Sequence, residues 1–136
     1  MPNRIEHIGL VIDDLSAGKD FMVNVLGFEL EREVDLPERA VQAAFYRSGS
    51  IQLEIIELTT DEARRRRLGP EGTKGRIEHI AIIVDDLAAT LEKVRAHGVR
   101  WTPPEPPYTR IPGRTWVFTD PDTTGGIMYQ FMELDT

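Results

Sequence analysis

The sequence predicts an α+β fold, built as two pseudo-symmetric βαβββ modules within one domain spanning residues 1–136. Three repeated segments carry the prediction. Arg4-Ile5-Glu6-His7-Ile8 recurs as Arg76-Ile77-Glu78-His79-Ile80, and Asp13-Asp14-Leu15 recurs as Asp85-Asp86-Leu87. Ile51-Gln52-Leu53-Glu54-Ile55-Ile56-Glu57-Leu58 matches Ile127-Met128-Tyr129-Gln130-Phe131-Met132-Glu133-Leu134. Two long copies do not make a solenoid. They point instead to a pair of modules: the first about 1–59, a linker about 60–75, and the second about 76–136.

The elements follow in order. Residues 4–12 and 76–84 are rich in Ile and Val and read as strands. Asp14 and Asp86 are good N-caps for the segments that follow. Leu15, Phe21, Met22, Val25 and Leu26 recur at helical spacing, as do Leu87, Leu91 and Val94. Gly27 and Gly98 sit where helix C-caps belong. Shorter strands are expected at about 28–35, 40–47 and 50–58, then at about 99–102, 114–119 and 126–134. Ser48-Gly49 marks a tight turn and Asp120 to Gly126 a longer one. Thr60 to Gly75 joins the modules, with a short helix carrying Arg64 to Arg67. Thr102 to Gly113 carries five prolines and reads as a stiff loop, serving either as a lid over a pocket or as a plain connection.

Composition narrows the function classes. With 40% apolar and 29% charged residues, the chain is an ordinary globular sequence. A net charge of -7 argues against nucleic acid or an anionic membrane as partner. The absence of cysteine excludes disulfides, zinc–thiolate sites, iron–sulfur clusters and cysteine nucleophiles. The N-terminal segment lacks the apolar core of a signal peptide, and no apolar run reaches membrane-spanning length. A cytoplasmic protein with a small-molecule substrate is the expectation.

Strand parity then singles out four positions. Side chains alternate faces with period two. Ile5, His7, Gly9 and Val11 share one face; Ile77, His79, Ala81 and Ile83 share the equivalent one. Both faces of these strands are apolar, so each His is expected to be buried. The small residue two positions on, Gly9 or Ala81, leaves room beside the imidazole, although Gly9 is equally consistent with close strand packing. Glu54 shares a face with Gln52 and Ile56, and a carboxylate among so many apolar neighbours needs a partner or a metal. Gln130 is its repeat equivalent. Glu133 has the other parity and matches Glu57. His7, Glu54, His79 and Gln130 are therefore the candidate ligands of one divalent first-row ion. The remaining polar residues read more simply. Glu6 and Glu78 are rim or solvent residues, and Asp13, Asp14, Asp85 and Asp86 are caps and turns. His97 is a helix C-terminal residue. Trp101, Trp116, Phe45 and Phe118 are core or pocket wall. Arg64 to Arg67 form a solvated face, with an anionic substrate tail as the alternative.

Taken together, Ile5-Glu6-His7-Ile8-Gly9-Leu10, Gln52-Leu53-Glu54-Ile55-Ile56, Ile77-Glu78-His79-Ile80-Ala81 and Gly125-Gly126-Ile127-Met128-Tyr129-Gln130-Phe131 resemble the vicinal oxygen chelate superfamily of glyoxalases, bleomycin-resistance proteins and dioxygenases. Val99 to Pro104, Phe118-Thr119-Asp120-Pro121 and Thr123-Thr124-Gly125-Gly126 are most similar to its methylmalonyl-CoA epimerases, with glyoxalase I next. The resemblance implies an open, cleft-containing half-barrel sheet around one divalent ion (zinc, nickel, cobalt, manganese or iron). It implies His7, Glu54, His79 and position 130 as ligands, a substrate chelating through adjacent oxygens, and a homodimer. The chain departs from the pattern where those two enzymes carry a proton-transferring glutamate, because Gln130 stands there and an amide cannot do that work. A second epimerase glutamate falls at Ala43, with Glu38 nearby.

The reading that fits these residues is a metal-dependent isomerase or lyase moving a proton next to a chelated carbonyl, with Glu54 as its base. Its rivals are an epimerase or lactoylglutathione-lyase activity with another base, an iron-dependent extradiol dioxygenase, and a non-catalytic resistance-type binding protein.

Overall fold

The computed structural model describes residues 3–101 and 108–136. The chain is α+β. It divides into two compact units, His7–Glu78 and a second made of residues up to Glu6 together with His79–Thr136.

In the His7–Glu78 unit the strands lie in the order β2-β3-β4-β1. They are β1 (Arg4–Ile12), β2 (Glu29–Leu36), β3 (Val41–Ser48) and β4 (Ile51–Leu58). β1 runs parallel to β4, and β2, β3 and β4 form antiparallel neighbours. The connection from β1 is helix α1 (Leu15–Asp20), opened by Asp14, whose carboxylate accepts the Ala17 N–H at 3.1 Å. The expected helix does not stay α throughout. Phe21–Val25 is wound as a π-helix, with the Leu26 N–H bonded to the Phe21 carbonyl. The preceding helix lies close on the sheet: a Cβ at Gly18 would meet the end of the Ile12 side chain. The wider π turn lets Met22 remain buried beside Ala44, Tyr46 and Ile55. Gly27, at φ +74°, then ends the segment as the sequence predicts. Helix α2 (Asp61–Arg67) packs Ala63 and the following Leu68 over Val11, Ala43 and Ile56 on the other face of the sheet.

The second unit repeats the scheme in the order β5-β8-β7-β6. Its strands are β5 (Gly75–Ile83), β6 (Thr109–Ile111), β7 (Arg114–Phe118) and β8 (Met128–Leu134). β5 is parallel to β8, and β8, β7 and β6 are antiparallel neighbours. Helix α3 (Leu87–Ala96) is capped by Asp86 and stopped at Gly98, at φ +92°. Leu87 and Leu91 bury against Val84, Trp101 and Val117.

The strand expected at 99–102 is corrected. Trp101 makes only an isolated bridge to Thr119. The backbone of Arg100 is committed to the neighbouring turn: its N–H bonds Thr123 Oγ1 and its carbonyl accepts the Asp120 N–H. The second strand of this unit forms instead at Thr109–Ile111, just before the turn at Gly113. The stiff loop expected from Thr102 to Gly113, as a lid or a plain connection, is therefore partly strand, and its Thr102–Pro107 portion lies outside the described residues.

Candidate metal centre

The parallel register of β1 on β4 sets the first half of the site. Gly9 lies opposite Glu54 and His7 opposite Gln52, so His7 and Glu54 are diagonal neighbours on one face. His7 is 2% exposed, and its Nε2 stands 3.2 Å from Glu54 Oε1. Phe45 lies opposite Glu54 from β3, and its ring meets the His7 ring edge to face at 5.3 Å. Arg32, opposite Phe45 on β2, places its guanidinium carbon 3.9 Å from the Phe45 centroid. Beside His7, buried Gln52 donates to Glu31 at 2.8 Å, and Arg47 Nε donates to the same oxygen at 2.6 Å. The Gln52 hydrogen bond, helped by Arg47, holds the Glu31 carboxyl below its usual range.

The other unit reproduces this pattern with one substitution. Ala81 lies opposite Gln130, and Phe118 lies opposite Gln130 from β7. The Phe118 ring meets His79 edge to face at 5.3 Å. His79 is 2% exposed and Gln130 is 5% exposed. The counterparts are thus His7 and His79, Gly9 and Ala81, Phe45 and Phe118, Glu54 and Gln130. Phe45 and Phe118, read from the sequence as core or wall, abut the two imidazoles. Their equivalence in the repeat was the signal available.

Glu133 and Glu57 do different work. Glu57 Oε1 accepts the Leu15 N–H and Glu133 Oε1 accepts the Leu87 N–H, each at 2.8 Å. Both carboxylates therefore serve helix N-termini on the opposite face. His97 ends α3, its Nδ1 3.0 Å from the Lys93 carbonyl oxygen, as expected of a C-terminal residue.

Two expectations are corrected here. Glu78 is not a rim residue. It is 3% exposed, because Arg67 binds its two oxygens bidentately at 2.7 and 2.8 Å. Burial works against the Arg67 charge, but the Glu78 carboxylate outweighs it and holds the guanidinium above its usual range. The Arg64–Arg67 run is accordingly solvated only at Arg65 and Arg66. Glu6 is also committed, accepting from Arg114 Nη1 at 2.9 Å.

The donor chemistry fits a divalent ion. His7 and Glu54 in one unit offer an imidazole nitrogen and a carboxylate oxygen, and His79 in the other offers a second imidazole nitrogen, donor types that suit such an ion. The Gln130 carbonyl oxygen is buried and has no hydrogen-bond partner among the described residues. A buried amide oxygen left so is costly unless something positive meets it.

Residues 4–125 match the family model described as the glyoxalase/bleomycin resistance protein/dioxygenase superfamily, and the chain belongs to that superfamily. It is 29% identical over 132 residues to the uncharacterized protein YqjC of Bacillus subtilis (strain 168), covering 96% of this chain and 92% of that protein. It is 24% identical over 127 residues to the mitochondrial methylmalonyl-CoA epimerase of Bos taurus, covering 93% of this chain and 72% of the relative. Among solved structures, a methylmalonyl-CoA epimerase in complex with methylmalonyl-CoA and NH4+ is similar with a TM-score of 0.83 at 25% identity, covering 100% of this chain and 97% of that one. No helix among the described residues is long and apolar enough to cross a membrane.

Proposed function

We propose that the protein is a divalent-metal-dependent isomerase or lyase that moves a proton next to the carbonyl of a small oxygenated metabolite. In this reading His7, Glu54, His79 and Gln130 hold one ion and Glu54 is the base. The observation that carries it is the 3.2 Å contact of His7 with Glu54, whose counterpart in the other unit is an amide rather than a second acid. Membership of the superfamily and the epimerase homologues support a metal-dependent, isomerase-type reaction.

When bound, the ion supplies Lewis-acid polarisation of substrate oxygens, which acidifies the adjacent C–H. The chain's own residues do the rest. Glu54, its side chain 13% exposed, accepts the proton at a carboxylate oxygen, with the His7 imidazole beside it to orient that group. Gly9 keeps the row opposite Glu54 clear of side chain, while buried Phe45 closes the other side against water. Gln130 offers an amide and neither takes nor returns a proton. A single base suffices for an isomerisation, where Glu54 returns the proton to a second substrate atom. It also suffices for an elimination, where the proton follows the leaving group.

Elemental analysis of the purified protein, followed by NMR of α-proton exchange in deuterium oxide over a panel of 2-oxo and 2-hydroxy compounds, tests the reading. Glu54→Gln is expected to lower exchange by a factor on the order of 10²–10⁴ while His7 and His79 still hold some metal. Full activity in that variant rejects Glu54 as base. Stable small-molecule binding by metal-free protein rejects the enzyme reading.

A second reading is favoured by the epimerase complex among the similar structures: epimerisation of an acyl-CoA with a residue other than position 130 as second base. Direct assay on methylmalonyl-CoA decides it.

A further inference from the structure

We propose that Trp116 is a substrate-positioning residue, donating its indole N–H to an oxygen of the substrate other than those that chelate the metal. The inference rests on the metal reading above and names a requirement of the substrate: a third acceptor oxygen beside its chelating pair.

The argument begins with rows on one face of the second unit. β7 and β8 place Phe118 opposite Gln130 and Trp116 opposite Met132, so Trp116 is the diagonal neighbour of Gln130. Such diagonal pairs stand about 7–8 Å apart. On β5, Ala81 faces Gln130 and Ile83 faces Met132, while His79 lies one row to the other side. His79 and Trp116 thus flank the row made by Ala81, Gln130 and Phe118, one on each side.

Trp116 is 8% exposed and its Nε1 has no hydrogen-bond partner among the described residues. The Gln130 carbonyl oxygen, in the adjoining row, is unpartnered in the same way. A buried donor and a buried acceptor both left unmade on one face are each costly, on the order of 1–3 kcal/mol. Met132, Ile83, Ile111 and Leu134 around Trp116 carry no side-chain oxygen, and Thr109, opposite Trp116 on β6, makes no hydrogen bond to the indole. Arg114, next on the same face, is a donor and is already bonded to Glu6. The matching position in the other unit is Ala43, which is closed by α2 through Ala63 and Leu68. The two units thus differ where a ligand would need something to hold it. Trp101, whose Nε1 also has no partner among the described residues, belongs to the cluster around α3 on the opposite face.

The chain has two tryptophans, so the ¹⁵N-labelled, zinc-loaded protein shows two indole cross-peaks, and Trp116→Phe assigns them while keeping an aromatic side chain. The probes are oxalate, which chelates through two oxygens and leaves two more as acceptors, and acetohydroxamate, which chelates through two and leaves none. Oxalate is expected to move the Trp116 N–H resonance downfield and to bind Trp116→Phe about tenfold more weakly. Acetohydroxamate is expected to bind both proteins alike. An unmoved Trp116 resonance, or equal oxalate affinity in the two proteins, overturns the assignment while leaving the metal reading standing. Failure to hold zinc overturns both.

Discussion

At the scale of single residues, the decisive choice is an amide in place of an acid. Gln130 and Glu54 occupy equivalent register positions, opposite Ala81 and Gly9. Strand parity alone separates Gln130 from Glu133, and Glu133 duly appears on the other face holding the Leu87 N–H. Replacing Gln130 by Glu is expected to add a second base. Epimerisation of methylmalonyl-CoA, followed by circular dichroism, should then rise about a hundredfold over the parent. No rise would place position 130 away from the reacting carbon. Less was legible at Glu78. A repeated Glu beside a repeated His resembles a rim residue until its Arg is found, and that Arg comes from α2, within what read as a solvated basic run. Arg67→Met removes the guanidinium from a carboxylate whose side chain is 1% exposed. The expected loss is about 3 kcal/mol in urea denaturation, with much of it recovered in Arg67→Met/Glu78→Gln, since a buried pair is worth least when both charges go.

At the scale of elements, each unit fastens its helix to its last strand through one carboxylate. Glu57 takes the Leu15 N–H and Glu133 takes the Leu87 N–H, while Asp14 and Asp86 cap the next donors, Ala17 and Ala89. The caps were legible because short polar residues directly before an apolar run have one common use. The long-range partners were not, since nothing local marks which of two glutamates on a strand faces a helix end. Glu133→Ala is expected to cost about 1–2 kcal/mol of stability without lowering metal content. Lost metal in that variant would return Glu133 to the list of ligands and weaken the case for Gln130. The elements the sequence missed have the same cause. The π turn at Phe21–Val25 leaves no periodic trace, and the displacement of the second strand of its unit to Thr109–Ile111 answers to the hydrogen bonds of Arg100, which leave none either.

At the scale of the whole molecule, repetition made the fold readable, and the departures from repetition carry its individuality. The Glu31–Arg47–Gln52 cluster beside His7 is one such departure: Gln52 answers to Met128, so the second unit has no amide there. The cluster should leave a mark on the acid side of the stability curve. Hydrogen bonds from Gln52 and Arg47 hold the Glu31 carboxyl below its usual value, and the hydrogen bond from Arg110 does the same for Asp135. A carboxyl whose folded pKa is depressed stabilises the folded state above its unfolded pKa, about 4.3 for Glu and 3.9 for Asp. That contribution disappears as pH falls through the folded value, because the unfolded chain binds the proton first. Urea midpoints measured from pH 7 down to pH 3 should therefore fall more steeply for the parent than for Glu31→Gln. The gap between them should close at the acid end and shrink in high salt, since both carboxylates are open to solvent. Parallel curves for the two proteins would mean that Glu31 gains nothing from its partners in the folded state. The cluster would then serve to hold Gln52 and Arg47 in place next to His7 rather than to stabilise the fold.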